Sequence, residues 1–332
     1  MRRLVVLLVG AGLLLPAAPA LGGSVTEAAA ARRVEGEALA VLERAVHAGR
    51  TVGYRGRQHI AIGGASDVVE VSHRPGQRSV LRDQAGTVPA VATAALDPRV
   101  VSLLAASYDL AVAGSGRCTG RTTTVVEARR ADGQVAGRFW VDEATGLLLR
   151  RDVFGDDGRR LRRSEFDDLE VRAAADVVVV GETTDLAAAV QELRAGGWRV
   201  PEGLPGGFAL FDARLSAPAA PTAREYVLHL AYSDGLSTTS LFAQRGALGS
   251  TPPDGFRQGE VAGRPVWRHA GAPERVVWSG DGAVWTLVSD APSGLVRDAV
   301  ATLPRDRAER DGVLVRLGRG LGRFASALSP FD

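Results

Sequence analysis

Hydrophobic residues recur along this chain with two periods. Between residues 27 and 48 the period is helical. Val34, Ala38, Leu42 and Ala45 fall at i, i+4, i+8 and i+11, and Gly49 is expected to stop the helix. From 51 to 62 the period is two. Tyr54, Gln58, Ile60 and Ile62 share one face of a strand, and Arg55, Arg57 and His59 share the other. Residues 66–73 read as a second strand. Asp97-Pro98 offers an N-cap followed by proline at the first helical position, and opens a short helix through Val101, Leu104 and Ala105. Alternation returns over 108–113 and 121–130.

The clearest pattern lies between 121 and 171. Turns at Asp132-Gly133, Glu143–Gly146 and Gly155–Gly158 separate strands over 135–142, 147–154 and 159–171. This predicts a four-stranded antiparallel meander. The lack of β-α-β alternation argues against a doubly wound parallel sheet. Composition shifts across 173–197, where a short helix over 184–194 ends at Gly196-Gly197. Strands are then expected over 209–215, 225–233, 236–244, 264–270, 275–279 and 283–289, followed by a helix over 293–303. A length of 332 residues suits two domains. The expected division is a large domain over 27–180, a linker over 181–197, a small α+β domain over 198–304 and a tail over 305–332.

The start of the chain reads as a secretory signal peptide. Met1-Arg2-Arg3 is positive, Leu4–Leu15 is apolar, and an Ala-x-Ala site ends at Ala20. The protein is therefore expected outside the cytoplasm, in the periplasm or cell envelope. In the tail, Leu314, Leu317, Leu321, Phe324 and Leu328 form a stripe flanked by Arg316, Arg319 and Arg323. Such a basic amphipathic stretch, 313–328, either touches a membrane surface or partner, or packs on the chain's own body.

Composition removes several chemistries. All 40 basic residues are arginine, so no lysine nucleophile or phosphate-loop lysine exists. With 38 acidic residues the net charge is only +2, which gives no reason to propose nucleic acid as a partner. The single cysteine, Cys118, cannot form an internal disulfide. His47, His59, His73, His229 and His269 show no ligand spacing, so neither a metal nor another cofactor is expected. Asp168 and Glu170 share a strand face, but a short acidic cluster is more often a solvated edge than a catalytic pair. An enzyme is not expected. The arginines of the meander, among them Arg150 and Arg151, form either a basic recognition surface or the wet face of a sheet. Their apolar complement is Phe139, Trp140, Leu147, Leu149, Phe154 and Phe166. These fill the core, or line a groove if the sheet curves without closing.

Four segments resemble the MucB/RseB family of exported envelope-stress regulators. Residues 138–151, with Trp140, Asp142, Thr145, Gly146 and Leu147, are similar to its Trp-x-Asp-x-x-Thr-Gly-Leu hairpin. Residues 159–169 resemble the strand after it. Leu204-Pro205-Gly206-Gly207-Phe208 resembles Leu-Pro-x-Gly-Phe, and residues 229–242 resemble a Tyr-Ser-Asp-Gly-Leu hairpin. Tyr54-Arg55-Gly56 is only a loose match to the family's first strand.

The resemblance implies an unclosed, LolA-like half-barrel followed by a small α+β domain. It implies a non-enzymatic regulator whose partner is the outer part of a membrane anti-sigma factor. A lipid-like ligand would be sensed against Phe139, Trp140, Leu147, Leu149, Phe154 and Phe166. Partner contact would fall to Arg150, Arg151, Tyr232, Asp234, Leu236 and Phe242. The alternative on the same fold is a lipid or lipoprotein carrier.

Overall fold

Two eight-stranded antiparallel sheets carry the chain. The computed structural model describes residues 22–75, 80–82, 96–172, 185–216, 226–269, 271 and 273–304. The expected signal peptide, 1–20, and the basic tail, 305–332, lie outside the described residues.

The first sheet contains β1 (Tyr54–Ile62), β2 (Ala65–His73), β3 (Val80–Arg82), β4 (Asp109–Cys118), β5 (Arg121–Arg129), β6 (Val135–Asp142), β7 (Leu148–Phe154) and β8 (Arg160–Val171), in the order β3-β2-β1-β8-β7-β6-β5-β4. The meander expected from the turns is β5 to β8. The long-range step is β1 against β8, with Tyr54 opposite Val171 and Ile62 opposite Arg162. Strands β3 and β4 remain edges, so the sheet is an unclosed half-barrel. Register shifts at Arg57/Gln58, Val112/Gly114, Ala128/Arg129 and Trp140/Val141 bend it. Beside the first of these, a Cβ on Gly56 would stand 2.3 Å from the Asp168 carbonyl oxygen, so glycine is required there.

Helices α1 (Gly22–Thr51) and α2 (Pro98–Ser107) pack on this sheet and on each other. The stripe of α1 buries Ala38, Val41, Leu42, Ala45 and Val46, whereas Val34 is 43% exposed. Gly49 does not stop the helix. It runs to Thr51, whose hydroxyl donates to the His47 carbonyl at 2.9 Å. Asp97 caps α2 as expected, accepting from the Arg99 amide at 2.7 Å with Pro98 in the first turn.

The second sheet contains β9 (Gly203–Leu204), β10 (Phe208–Ser216), β11 (Val227–Ser233), β12 (Thr238–Arg245), β13 (Arg257–Val261), β14 (Arg264–His269), β15 (Glu274–Gly280) and β16 (Ala283–Ser289), in the order β13-β14-β15-β16-β12-β11-β10-β9. Its core, with Leu228, Leu230, Leu241, Leu287, Trp278 and Trp285, also takes residues of α3 (Leu186–Ala195) and α4 (Ser293–Thr302). Helix α3 stands in the stretch read as linker. It packs on β10 with Leu193 in this core, so the end of that stretch is structural.

The outer face of the first sheet is an ion-pair ladder. Glu127 accepts from Arg129 and Arg138, and Asp152 accepts from Arg150 and Arg163. Arg150 lies 4.1 Å above the Trp140 ring, which itself rests against Gly116. Arg129, Arg138, Arg150 and Arg163 are thus partnered within their own sheet. At the β6–β7 turn, Asp142 accepts two bonds from Arg121, at 3.1 and 2.8 Å, and others from the Thr145 amide and hydroxyl.

Burial alone would raise the pKa values of Glu127, Asp142 and Asp152. The hydrogen bonds from their arginines, and from Thr145 at Asp142, override it and hold all three below the usual carboxylate range. Groups depressed in the folded state stabilise it above their unfolded pKa, and lose that contribution as pH falls through the folded values. Stability from urea unfolding should therefore drop on acidification below about pH 4. Asp142→Asn should make that drop shallower, while lowering stability at pH 7.

Candidate functional site

The turn between β11 and β12 leaves its own sheet and enters the other. Residues 233–237 read Ser-Asp-Gly-Leu-Ser, and the side chains build the turn. The Ser233 hydroxyl accepts from the Gly235 amide at 2.9 Å and donates to the Ser237 carbonyl at 2.8 Å. Asp234 Oδ1 accepts from the amides of Leu236 and Ser237, at 2.9 and 2.7 Å. Gly235 has φ +96°, and a Cβ there would lie 2.3 Å from Leu104 Cα in α2. Only glycine fits this approach. Leu236 then joins the core of the first sheet. It sits over Gly137, where a Cβ would approach its side chain to 2.5 Å.

Two arginines on the inner wall complete the contact. Arg151 Nη2 donates to the carbonyls of Gly235 and Leu236, at 3.2 and 2.6 Å, and its guanidinium lies 5.5 Å from the Phe139 ring centre. Arg162 pairs with Asp290, whose other oxygen accepts from the Thr238 amide at 2.7 Å. Burial, with repulsion from Arg162 next, lowers the Arg151 pKa to about 10 against the pull of Asp290 and Asp234. It is therefore still charged at neutral pH. Among the described residues Arg151 Nε finds no hydrogen-bond acceptor. The Tyr108 hydroxyl donates to Asp234 Oδ2 at 2.7 Å, and Arg99 donates to the Phe211 carbonyl at 3.0 Å. Val100 packs with Phe211 and Ala231 beside it.

This arrangement sorts the sequence-derived candidates. Arg151, Asp234 and Leu236 come together, buried between the sheets rather than on a surface. Arg150 belongs to the outer ladder. Tyr232 is in the second core, and its hydroxyl donates to the Pro201 carbonyl at 2.8 Å. Phe242 is half-buried and stacks on His229 at 4.5 Å. Burial, with Arg214 adding, lowers the His229 pKa to about 3, so the ring is neutral. Of the expected ligand wall, Phe139, Leu147, Leu149 and Phe166 are in the first core. Trp140 and Phe154 are half-buried beneath Arg150 and Arg138.

Tyr108 and Asp290 were missed and Arg162 was counted only among the meander's arginines, because each makes its contact through the other sheet. Among the described residues no group of His, Cys, Asp and Glu has the makings of a metal site. Asp168 pairs with Arg57 in an exposed bridge. No described helix is long and apolar enough to cross a membrane.

Residues 65–188 match the family described as MucB/RseB N-terminal domain. That segment is similar to the N-terminal domain of the MucB/RseB family. A crystal structure of MucB is 23% identical, with a TM-score of 0.51 over 80% of this chain and 97% of that one. It shares the fold. The MucA/MucB complex of Pseudomonas aeruginosa is 24% identical over 82% of this chain and 100% of that one, with a TM-score of 0.46. MucB in complex with MucA(peri) is 24% identical over 81% and 100%, with a TM-score of 0.45. No curated protein matches the sequence.

The hairpin that contains Tyr232 is thus part of the internal architecture. Tyr232→Phe should cost about 1 kcal/mol in urea unfolding, because the Pro201 carbonyl loses its donor. Binding of any outside partner should be unchanged. A loss of binding with stability intact would return Tyr232 to a recognition surface.

Proposed function

We propose that this protein is an exported, non-enzymatic regulator that binds the outer part of a membrane anti-sigma factor. The observation that carries the reading is the MucB/RseB domain match over 65–188. The fold shared with MucB extends that support into the second sheet. MucB itself has been crystallised with the periplasmic part of MucA, as the names of those complexes state. The apolar run and Ala-x-Ala site before residue 21 support export. The mature chain should bind the ectodomain of an anti-sigma factor encoded beside its gene, with a Kd at or below micromolar by calorimetry. No binding at that concentration overturns the reading.

In the same reading a lipid-like ligand is sensed on the concave wall of the first sheet, and its binding weakens that of the partner by an equal factor. Supporting this, the wall is apolar, with Phe139, Leu149 and Phe166, and is covered by helices and one hairpin rather than by a second sheet. Native mass spectrometry of the purified mature chain should show a co-purified amphiphile. Removing that amphiphile should tighten partner binding. A lipid-free protein whose partner affinity ignores added phospholipid vesicles removes the sensing step and leaves the regulator.

A further inference from the structure

We infer that the 233–237 hairpin is a latch, which docks the second sheet in the mouth of the half-barrel and releases it without unfolding either sheet. The inference holds whatever the outside partner is. It begins with the chemistry of the contact. Two guanidiniums sit on the inner wall, and the other sheet satisfies them: Gly235 and Leu236 through carbonyls, Asp290 through its carboxylate. A permanent core would place apolar side chains there, because buried ion pairs add little net stability over well-packed hydrophobic residues. Their use fits a contact that must also survive opening. When the sheets part, the arginines and Asp290 regain water, so the open state carries no stranded charge. Opening exposes Leu236 and the small apolar cluster of Val100, Phe211 and Ala231.

The closed state is also imperfect. Among the described residues Arg151 Nε finds no acceptor, so protein groups satisfy this guanidinium only in part. The two sheets have separate cores, one holding Phe139 and Leu149, the other Leu230 and Leu241. Neither depends on the latch for most of its burial. The hairpin is shaped by its own side chains, Ser233 and Asp234, and once undocked its amides have only these solvent-exposed bonds to protect them. Tyr108 on Asp234 and Arg99 on Phe211 are further polar contacts that water can replace. In the closed state the hairpin covers Phe139 and Leu104, so the latch controls access to that end of the concave face.

Native-state hydrogen exchange of the full mature chain in low urea tests this. The amides of Leu236 and Ser237 should exchange at least ten-fold faster than those of Leu230 and Leu241. Their urea dependence should be smaller than for global unfolding yet clearly above zero. Gly235→Val, which wedges the turn off Leu104, should speed hairpin exchange at least a further ten-fold. It should leave Leu230 and Leu241 within about two-fold, and enlarge the radius of gyration in solution scattering. If the variant fails to fold, the wild-type comparison stands alone. Hairpin amides that exchange only with the core, at the same rate and urea dependence, overturn the latch. Urea-independent exchange confined to 235–237 overturns it equally, since that is fraying of one turn.

Discussion

Two positive charges on the inside of a half-barrel set the terms for the rest of the molecule. A guanidinium taken out of water needs acceptors, and the wall around Arg151 and Arg162 is made of residues such as Phe139, Val153 and Phe166. The acceptors come from the second sheet, as two backbone carbonyls and one carboxylate. That requirement explains features which look unrelated in the sequence. Gly235 must lack a side chain to reach Leu104, and Gly137 must lack one to leave room for Leu236. Asp290, at the end of β16, must serve both Arg162 and the Thr238 amide. The relative placement of the sheets follows from where those acceptors have to be.

The outer face solves the same problem differently. There Glu127, Asp152 and Glu165 lie among Arg129, Arg138, Arg150 and Arg163, so each charge finds a partner along its own strand or across the ladder. The basic appearance of the meander is therefore an effect of counting along the chain. Across the strands the charges nearly cancel, and Trp140 is occupied by the Arg150 guanidinium. A recognition surface for an anion would need cations without such neighbours. The inner arginines differ because the second sheet offers them acceptors, which is why they can hold another unit.

Much of the architecture was legible because it is local. Turns such as Asp132-Gly133 and Gly155–Gly158, and strands of strict period, fix the meander, and Asp97-Pro98 fixes the start of α2. Strand β13 was not visible, since four of its five residues are exposed and nothing alternates. The pairing of β1 with β8 spans about a hundred residues and leaves no local mark. The site was half legible. Family resemblance drew attention to Arg151, Asp234 and Leu236 but not to what they touch. One signal was present and unused: Arg151 shares its strand parity with Leu149 and Val153, and Arg162 shares its parity with Phe166. An arginine at an inward-facing position is a buried charge, and a buried charge implies a partner from elsewhere. Arg150 and Arg163, of opposite parity, are the ones to expect in solvent.

The latch also constrains how any outside molecule engages the concave face. Leu236 and the carbonyls of residues 235 and 236 are tethered a short distance from the wall they occupy. Such a tethered group competes at an effective concentration of roughly millimolar. A molecule that takes its place must bury at least as much apolar surface as one leucine and offer oxygen acceptors to Arg151, or the guanidinium is left worse off than before. Contact with the wall alone is therefore insufficient. Something must also favour the undocked position of the second sheet, and a partner that grips both sheets in that position supplies it directly. The imperfect closure at Arg151 lowers the differential affinity such a partner needs, since an equilibrium moves only by the difference in binding free energy between the two states. Polar docking, an unsatisfied donor and a glycine-tight turn then belong to one arrangement: a contact firm enough to define the resting shape and weak enough for binding to undo.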